Sequence, residues 1–231
     1  MIRVHDFNTQ WWGGPAGIVE DGAFFSLAQS LQQEALAPFC WAEFRSRFKT
    51  APPLIDIHRA GFFLADTQQE FRIALKTRPP SPSDLPLQVR FADEQHFELC
   101  DSDFASFEQE RYRHLPGCTE EKVNARYGGW ARSLIREHPQ TCLEVLADGV
   151  AQFWFLSRPD QSGLNLTLAM LRREAKVSGF LLYETALAAY ALRGHRIGFA
   201  SFSVVNAAVH NIYAKLGAHF LTPTGIWLWV P

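Results

Sequence analysis

The chain has 231 residues, 47% of them hydrophobic and 20% charged, with a formal net charge of −2. That composition excludes general disorder and allows one large domain or two small ones. The near-neutral balance gives no electrostatic reason to expect nucleic acid or an acidic membrane, and no window approaches the roughly 18 apolar residues of a membrane span.

Cys40, Cys100, Cys118 and Cys142 are scattered, with no C-x-x-C pair. They read as reduced thiols rather than metal ligands or a disulfide framework. Met1 to Trp12 mixes charge and polarity and lacks an apolar signal region. A cytoplasmic protein with no metal is expected.

In chain order, Gly17–Glu20 reads as a short strand, Ala23–Leu36 as a helix and Phe39–Phe48 as a strand. Ile55–Ala60 reads as a helix ending at Gly61, and Glu70–Lys76 as a strand. Thr77 to Pro86 then places four prolines in ten residues, which neither a helix nor a central strand accommodates. The segment is expected to be a linker between a unit at 1–80 and a unit at 81–231.

Past it, Leu87–Phe91 reads as a strand and Asp93 as the cap of a helix reaching Cys100. Thr119-Glu-Glu opens a second helix to about Arg136. Strands follow at Thr141–Leu146, Ala151–Ser157 and Leu164–Leu171, with Asp148-Gly149 as a hairpin turn between the first two. Gly179–Leu192 is a long apolar helix ended by Arg193-Gly194. A strand at Ile197–Val205, a helix at Ala207–Leu216 and a strand at Ile226–Val230 complete the order β-α-α-β-β-β-α-β-α-β.

Two turns in that order carry chemistry. Leu171 to Phe180 runs from a strand into a helix through Arg172, Arg173, Lys176, Val177, Ser178 and Gly179. Free N–H groups and the positive dipole end of the helix favour a phosphate there, and the basic side chains add charge. An ordinary solvated turn is the bland alternative. Asn206 is a natural N-cap, and Tyr213, two helical turns on, shares its face.

The spacing Asn206, Tyr213, Leu216, Gly217, with Gly179 and Gly194 bounding the preceding helix, resembles the GCN5-related N-acetyltransferases (GNAT). The likeness covers roughly Leu87 to Pro231. It implies a mixed α/β acyltransferase fold and acetyl-coenzyme A as co-substrate. The turn at Arg172–Gly179 would hold the pyrophosphate, although Glu174, Val177 and Ala218 depart from the family pattern. Along its full length the chain looks most like the nucleotide-amino-sugar branch, TDP-fucosamine acetyltransferases included. That branch places a truncated acetyltransferase-like unit ahead of the complete one. The features carrying this are Phe7 to Gly14, Leu54 to Phe63, Arg126-Tyr-Gly-Gly-Trp-Ala, Glu184-Thr-Ala-Leu and Gly225-Ile-Trp-Leu-Trp.

The resemblance implies direct acetyl transfer to a primary amine on a nucleotide-linked sugar. Tyr213 would protonate the departing sulfur, and a backbone N–H near Met170 or Leu171 would meet the thioester oxygen. Phe180 and Asn206 would line the coenzyme slot. His210, between Asn206 and Tyr213, is a candidate base or a core histidine. Arg111, Tyr112 and His114 form a basic aromatic cluster suited to a nucleotide diphosphate, or a solvated loop. Another small amine or a protein terminus as acceptor, and coenzyme A binding without turnover, stay open. Trp227-Leu-Trp229 is a candidate homodimer interface.

Overall fold

The computed structural model describes residues 1–77, 81 and 85–231. Most of the segment expected to be a linker lies outside the described residues. The elements are β1 (Ile2–Val4), α1 (Asp6–Trp12), β2 (Ala16–Val19), α2 (Gln29–Leu36), β3 (Trp41–Arg47), α3 (Leu54–Arg59) and β4 (Phe63–Ala74). Then come β5 (Leu87–Phe91), α4 (Glu120–Glu137), β6 (Cys142–Ala147), β7 (Val150–Asp160), β8 (Gly163–Leu171) and α5 (Gly179–Leu192). The last are β9 (Ile197–Ser203), α6 (Ala207–Lys215), β10 (His219–Phe220) and β11 (Thr224–Trp229).

The local chemistry explains most boundaries. Asp148 and Gly149 both have positive φ, 50° and 74°, so β6 and β7 close through a two-residue turn whose twist matches the strands. Thr119 Oγ1 accepts the Lys122 amide at 3.3 Å and caps α4. α5 and α6 end alike. His195 N donates to Tyr190 O and Gly194 N to Ala191 O; Ala218 N donates to Tyr213 O and Gly217 N to Ala214 O. This paired closure needs a left-handed residue, and Gly194 and Gly217 supply it at φ 89° and 84°.

Two expected helices differ. Asp93 caps nothing: its carboxylate receives Arg193 at 2.9 Å, and Phe97 and Leu99 are buried at the two-residue spacing of an extended chain. The Ala23–Leu36 helix is interrupted, because Leu27 and Ala28 are extended (ψ 157° and 143°). A 3₁₀ turn at Gly22–Ser26 instead buries the adjacent Phe24 and Phe25. Helix α1, absent from the sequence reading, is capped by the His5 ring through the Asn8 amide.

The strands form one mixed sheet in the order β1-β2-β3-β11-β4-β9-β8-β7-β6-β5, with β10 beside β4. β2–β3 and β8–β9 are the parallel pairs. The C-terminal strand β11 lies between β3 and β4, so residues from either side of position 80 share the sheet. This corrects Trp227-Leu-Trp229 as an interface: Trp227 and Leu228 are fully buried within their own chain.

Helices cover both faces, giving the mixed α/β fold expected. On one face α5 and α6 pack on alternate residues of the strands, Phe71 and Ile73 of β4, Phe153 and Phe155 of β7 and Phe202 of β9. On the other, α4 packs on Trp154, Leu156, Leu168 and Met170, and a second cluster gathers Trp41, Tyr112 and Leu228.

Candidate active site

Strands β8 and β9 run parallel for only two residue pairs, Leu164 with Gly198 and Asn165 with Phe199, and then part. The cause is visible in the register on the other side of β8. Leu156 opposes Leu168, but Arg158 opposes Asn165, so β8 spends three steps where β7 spends two. This bulge turns the strand over. Leu164 and Leu166 face α5, whereas Leu168 and Met170 face α4. Unpaired strand edges therefore flank an opening past Asn165 and Phe199, which closes where Phe104 bridges Arg172 at the end of β8. Met170 is 1% exposed and stands opposite Trp154 of β7, while Leu171 is exposed and its carbonyl accepts the Ala105 amide at 2.8 Å.

The turn leaving β8 leads into the N-terminus of α5. Gln152 is buried and locks this turn, its Oε1 accepting the Lys176 amide at 2.8 Å and its carbonyl accepting the Arg172 amide at 2.9 Å. Arg172 Nη1 donates to Ala151 O, and Arg173 Nε to Ser102 O. Val177, out of pattern for the family, is a core residue packed beneath α5. Ser178 caps the helix through the Leu181 amide at 3.4 Å. The first-turn amides of Gly179 and Phe180 have no helical partner, which is the property an anion needs. Lys215 of α6 lies 4.0 Å above the Phe180 ring and brings a further cation to this end of α5. It went unnoticed in the sequence because only the packing of α5 against α6 places it there.

Asn206 caps α6 as expected, Oδ1 accepting the Val209 amide at 3.1 Å. Its Nδ2 makes no hydrogen bond among the described residues. Tyr213 is 3% exposed and lies between Phe71, Phe202 and Tyr183, with centroids at 4.0, 5.9 and 5.4 Å. Its hydroxyl has no hydrogen-bond partner among the described residues, and burial pushes its pKa well above the usual phenol value. His210 lies flat on Phe220 at 4.6 Å and meets the edge of Phe202.

The turn, Asn206 and Tyr213 thus converge on the side of the sheet carrying α5 and α6. Arg111, Tyr112 and His114 do not join them. Arg111 and Tyr112 are buried on the opposite face, where both donate to Glu43 Oε2 at 3.0 Å. Arg111 also pairs with Glu110 at 3.4 Å, so its charge is already matched and it is not presented to a diphosphate. His114 is exposed, its ring 6.5 Å from that of Phe63. Among the described residues no cluster of three His, Cys, Asp or Glu side chains is placed to hold a metal ion, and no helix is long and apolar enough to cross a membrane.

No protein-family model and no curated protein matches the chain. Solved structures do. A GCN5-related N-acetyltransferase from Sphaerobacter thermophilus aligns over 99% of this chain and 76% of its own, with 14% identity and a TM-score of 0.60. A tandem GNAT protein from the clavulanic acid biosynthesis pathway, solved without AcCoA, aligns over 94% and 76%, with 12% identity and a TM-score of 0.55. A GCN5-related N-acetyltransferase from Kribbella flavida aligns over 94% and 81%, with 12% identity and a TM-score of 0.52. The chain has the GNAT acyltransferase fold.

Proposed function

We propose that the protein is an acyl-coenzyme A-dependent N-acyltransferase, moving acetyl from acetyl-coenzyme A to a primary amine by direct transfer. The observation that carries this reading is the parting of β8 and β9 at a bulge, with the anion-favouring turn at one end and Asn206 and Tyr213 alongside. The coenzyme's pyrophosphate would lie on the first-turn amides of α5, near Arg173, Lys176 and Lys215. Its pantetheine arm would run along the open edge of β8, and the Asn206 Nδ2 would meet one of its carbonyls.

The amine nitrogen attacks the thioester carbon, the C–S bond breaks, the nitrogen loses a proton and the thiolate gains one. Tyr213 is the donor facing the sulfur in this reading. Its raised pKa keeps the phenol protonated at neutral pH, so it is always ready to donate a hydrogen bond. Each unit by which it exceeds the thiol's pKa adds about 1.4 kcal/mol to complete proton transfer. Stabilising the leaving sulfur by a hydrogen bond is thus the larger part of its role. His210, stacked on Phe220, fills the place of a packed ring, and the amine's proton leaves through water. The finer acceptor assignment, a nucleotide-linked amino sugar, rests on the sequence resemblance.

Release of coenzyme A thiol, followed with acetyl-coenzyme A and a panel of TDP-4-amino sugars, simple alkylamines and peptide N-termini, tests the reading. Turnover is expected with at least one amine, and Tyr213→Phe is expected to lower kcat by about 10²-fold or more. A loss within about threefold would remove Tyr213 from the mechanism. Thermal stabilisation by coenzyme A with no turnover on any amine would overturn catalysis altogether.

A further inference from the structure

The sequence features from Phe7 to Gly14 and from Arg126 to Ala131 take no part in the site described above, yet they meet in the fold. On α4, Lys122, Arg126 and Trp130 follow at four-residue steps and share one face. On α1, Phe7 and Trp11 stand four apart, and Trp11 Nε1 donates to Lys122 O at 2.7 Å. The seam between α1 and α4 thus places a guanidinium among aromatic rings. Arg126 Cζ lies 4.7 Å from the ring centroid of Tyr112, 5.5 Å from those of Phe7 and Tyr127, 5.6 Å from Trp11 and 5.7 Å from Trp130. Helix α4 covers the sheet face opposite α5 and α6, so the seam is separate from the turn at the start of α5.

Arg126 is 7% exposed, and it is the cation of this cluster that no carboxylate answers. Glu43 is held by Arg45, Arg111 and Tyr112, and Glu110 by Arg111 and Tyr127. Arg126 makes no ion pair among the described residues. Its Nε donates to Asn8 Oδ1 at 3.0 Å, and Asn8 Nδ2 donates in turn to the Tyr112 hydroxyl. Neither Nη group makes a hydrogen bond among the described residues. A buried cation without a counter-charge is costly, and ring faces offset only part of that cost. Phe7, Trp11 and Trp130 are partly exposed, so the seam reaches solvent along its rim. Lys122 is exposed one turn away, its ammonium 4.4 Å over the Trp12 ring. It too makes no ion pair among the described residues, and it adds positive potential at that rim.

We propose that the seam between α1 and α4 binds a carboxylate carried on a flat apolar body, with Arg126 as its anchor. The free Nη1 and Nη2 form the fork that matches the two oxygens of a carboxylate. A phosphate would bring further oxygens into a setting whose remaining walls are ring faces, where they would lose water without gaining donors. Trp11 already spends its indole N–H on Lys122 O, and Phe7 has no polar atom, so the rim offers the rest of the ligand apolar surface. The bound carboxylate supplies the counter-charge that Arg126 lacks, and the aromatic rings around it keep water from weakening the pair. No residue of the seam belongs to the proposed coenzyme slot, so the inference stands apart from the acyl-transfer reading.

Calorimetric titration of the full chain, without coenzyme A, tests this with three probes: 3-phenylpropionate, its neutral amide 3-phenylpropanamide, and inorganic phosphate. The acid is expected to bind with Kd of about 1 mM or tighter, and about tenfold or more tighter than either of the others. Arg126→Lys, which keeps the charge and loses the fork, is expected to raise Kd for the acid about fivefold or more. Trp130→Ala, at the rim, is expected to raise it about threefold or more. Equal binding of acid and amide, phosphate binding as tight as that of the acid, or unchanged binding of the acid by Arg126→Lys would overturn the proposal. So would the absence of any binding of the acid up to about 10 mM. The comparison of acid with amide needs only the unaltered protein, so it decides the matter even if Arg126→Lys folds poorly.

Discussion

Glu43 shows how a single buried charge is made tolerable. Burial alone would raise its carboxyl, but Arg45 and Arg111 hold it well below the usual carboxylate range. Tyr112 adds a hydrogen bond at 3.0 Å, and Asn8 joins Tyr112 to Arg126 through bonds of 3.0 Å each. A carboxyl whose folded pKa lies below its unfolded value near 4.5 stabilises the fold fully above that pH. The contribution is lost as the pH falls through the folded value. Stability measured by denaturant titration is therefore expected to decline below about pH 4.5, and Glu43→Gln to flatten that decline. The substitution also leaves Arg111 short of its partner in the interior, a change expected to cost about 3–5 kcal/mol. Cysteine reactivity separates equally cleanly. Burial pushes the Cys142 thiol up to about 12, while Cys40 and Cys100 are exposed. An alkylating reagent at pH 8 is expected to label Cys40 and Cys100 in the native protein and Cys142 only after denaturation.

At the scale of elements, α5 and α6 form the wall of the proposed coenzyme slot, and their ends fix where that wall stops. Gly194 and Gly217 each close a helix in the left-handed region at φ 89° and 84°, with open space where a Cβ would sit. An alanine there meets no neighbour, so only the backbone conformation is penalised. Gly194→Ala and Gly217→Ala are each expected to lower stability by about 1–2 kcal/mol, read as a shift in denaturant midpoint with unchanged slope. The bulge in β8 is the other decisive element. It moves Leu168 and Met170 into the α4 cluster and ends the pairing of β8 with β9 at Asn165.

The whole molecule is joined by its C-terminus. β11 pairs with β3 over six residue pairs and with β4 over five, and both partners come from the first 77 residues. β4 in turn pairs with β9 from Gln68 to Ala74. Residues 81–231 expressed alone would expose the edge of β9 and leave β11 without either neighbour. That piece is expected to lack a cooperative thermal transition, whereas the full chain should unfold in a single one by calorimetry.

What could be read in the sequence was local. Asn206 and Thr119 announced their caps, Gly194 and Gly217 their helix ends and Asp148-Gly149 its hairpin, because each depends on the chemistry of a few neighbouring residues. The spacing from Asn206 to Tyr213 likewise pointed to one face of a helix facing a cleft. Arg111 and Tyr112 were misleading for the same reason: a basic, aromatic triplet looks solvated until Glu43, 68 residues earlier, is found against it. The sequence by itself determined the α/β class and most of the elements past Thr119, through side-chain periodicity and backbone preference. Only the tertiary structure decided which strands are neighbours and which charges are already paired, since those depend on contacts between residues far apart in the chain.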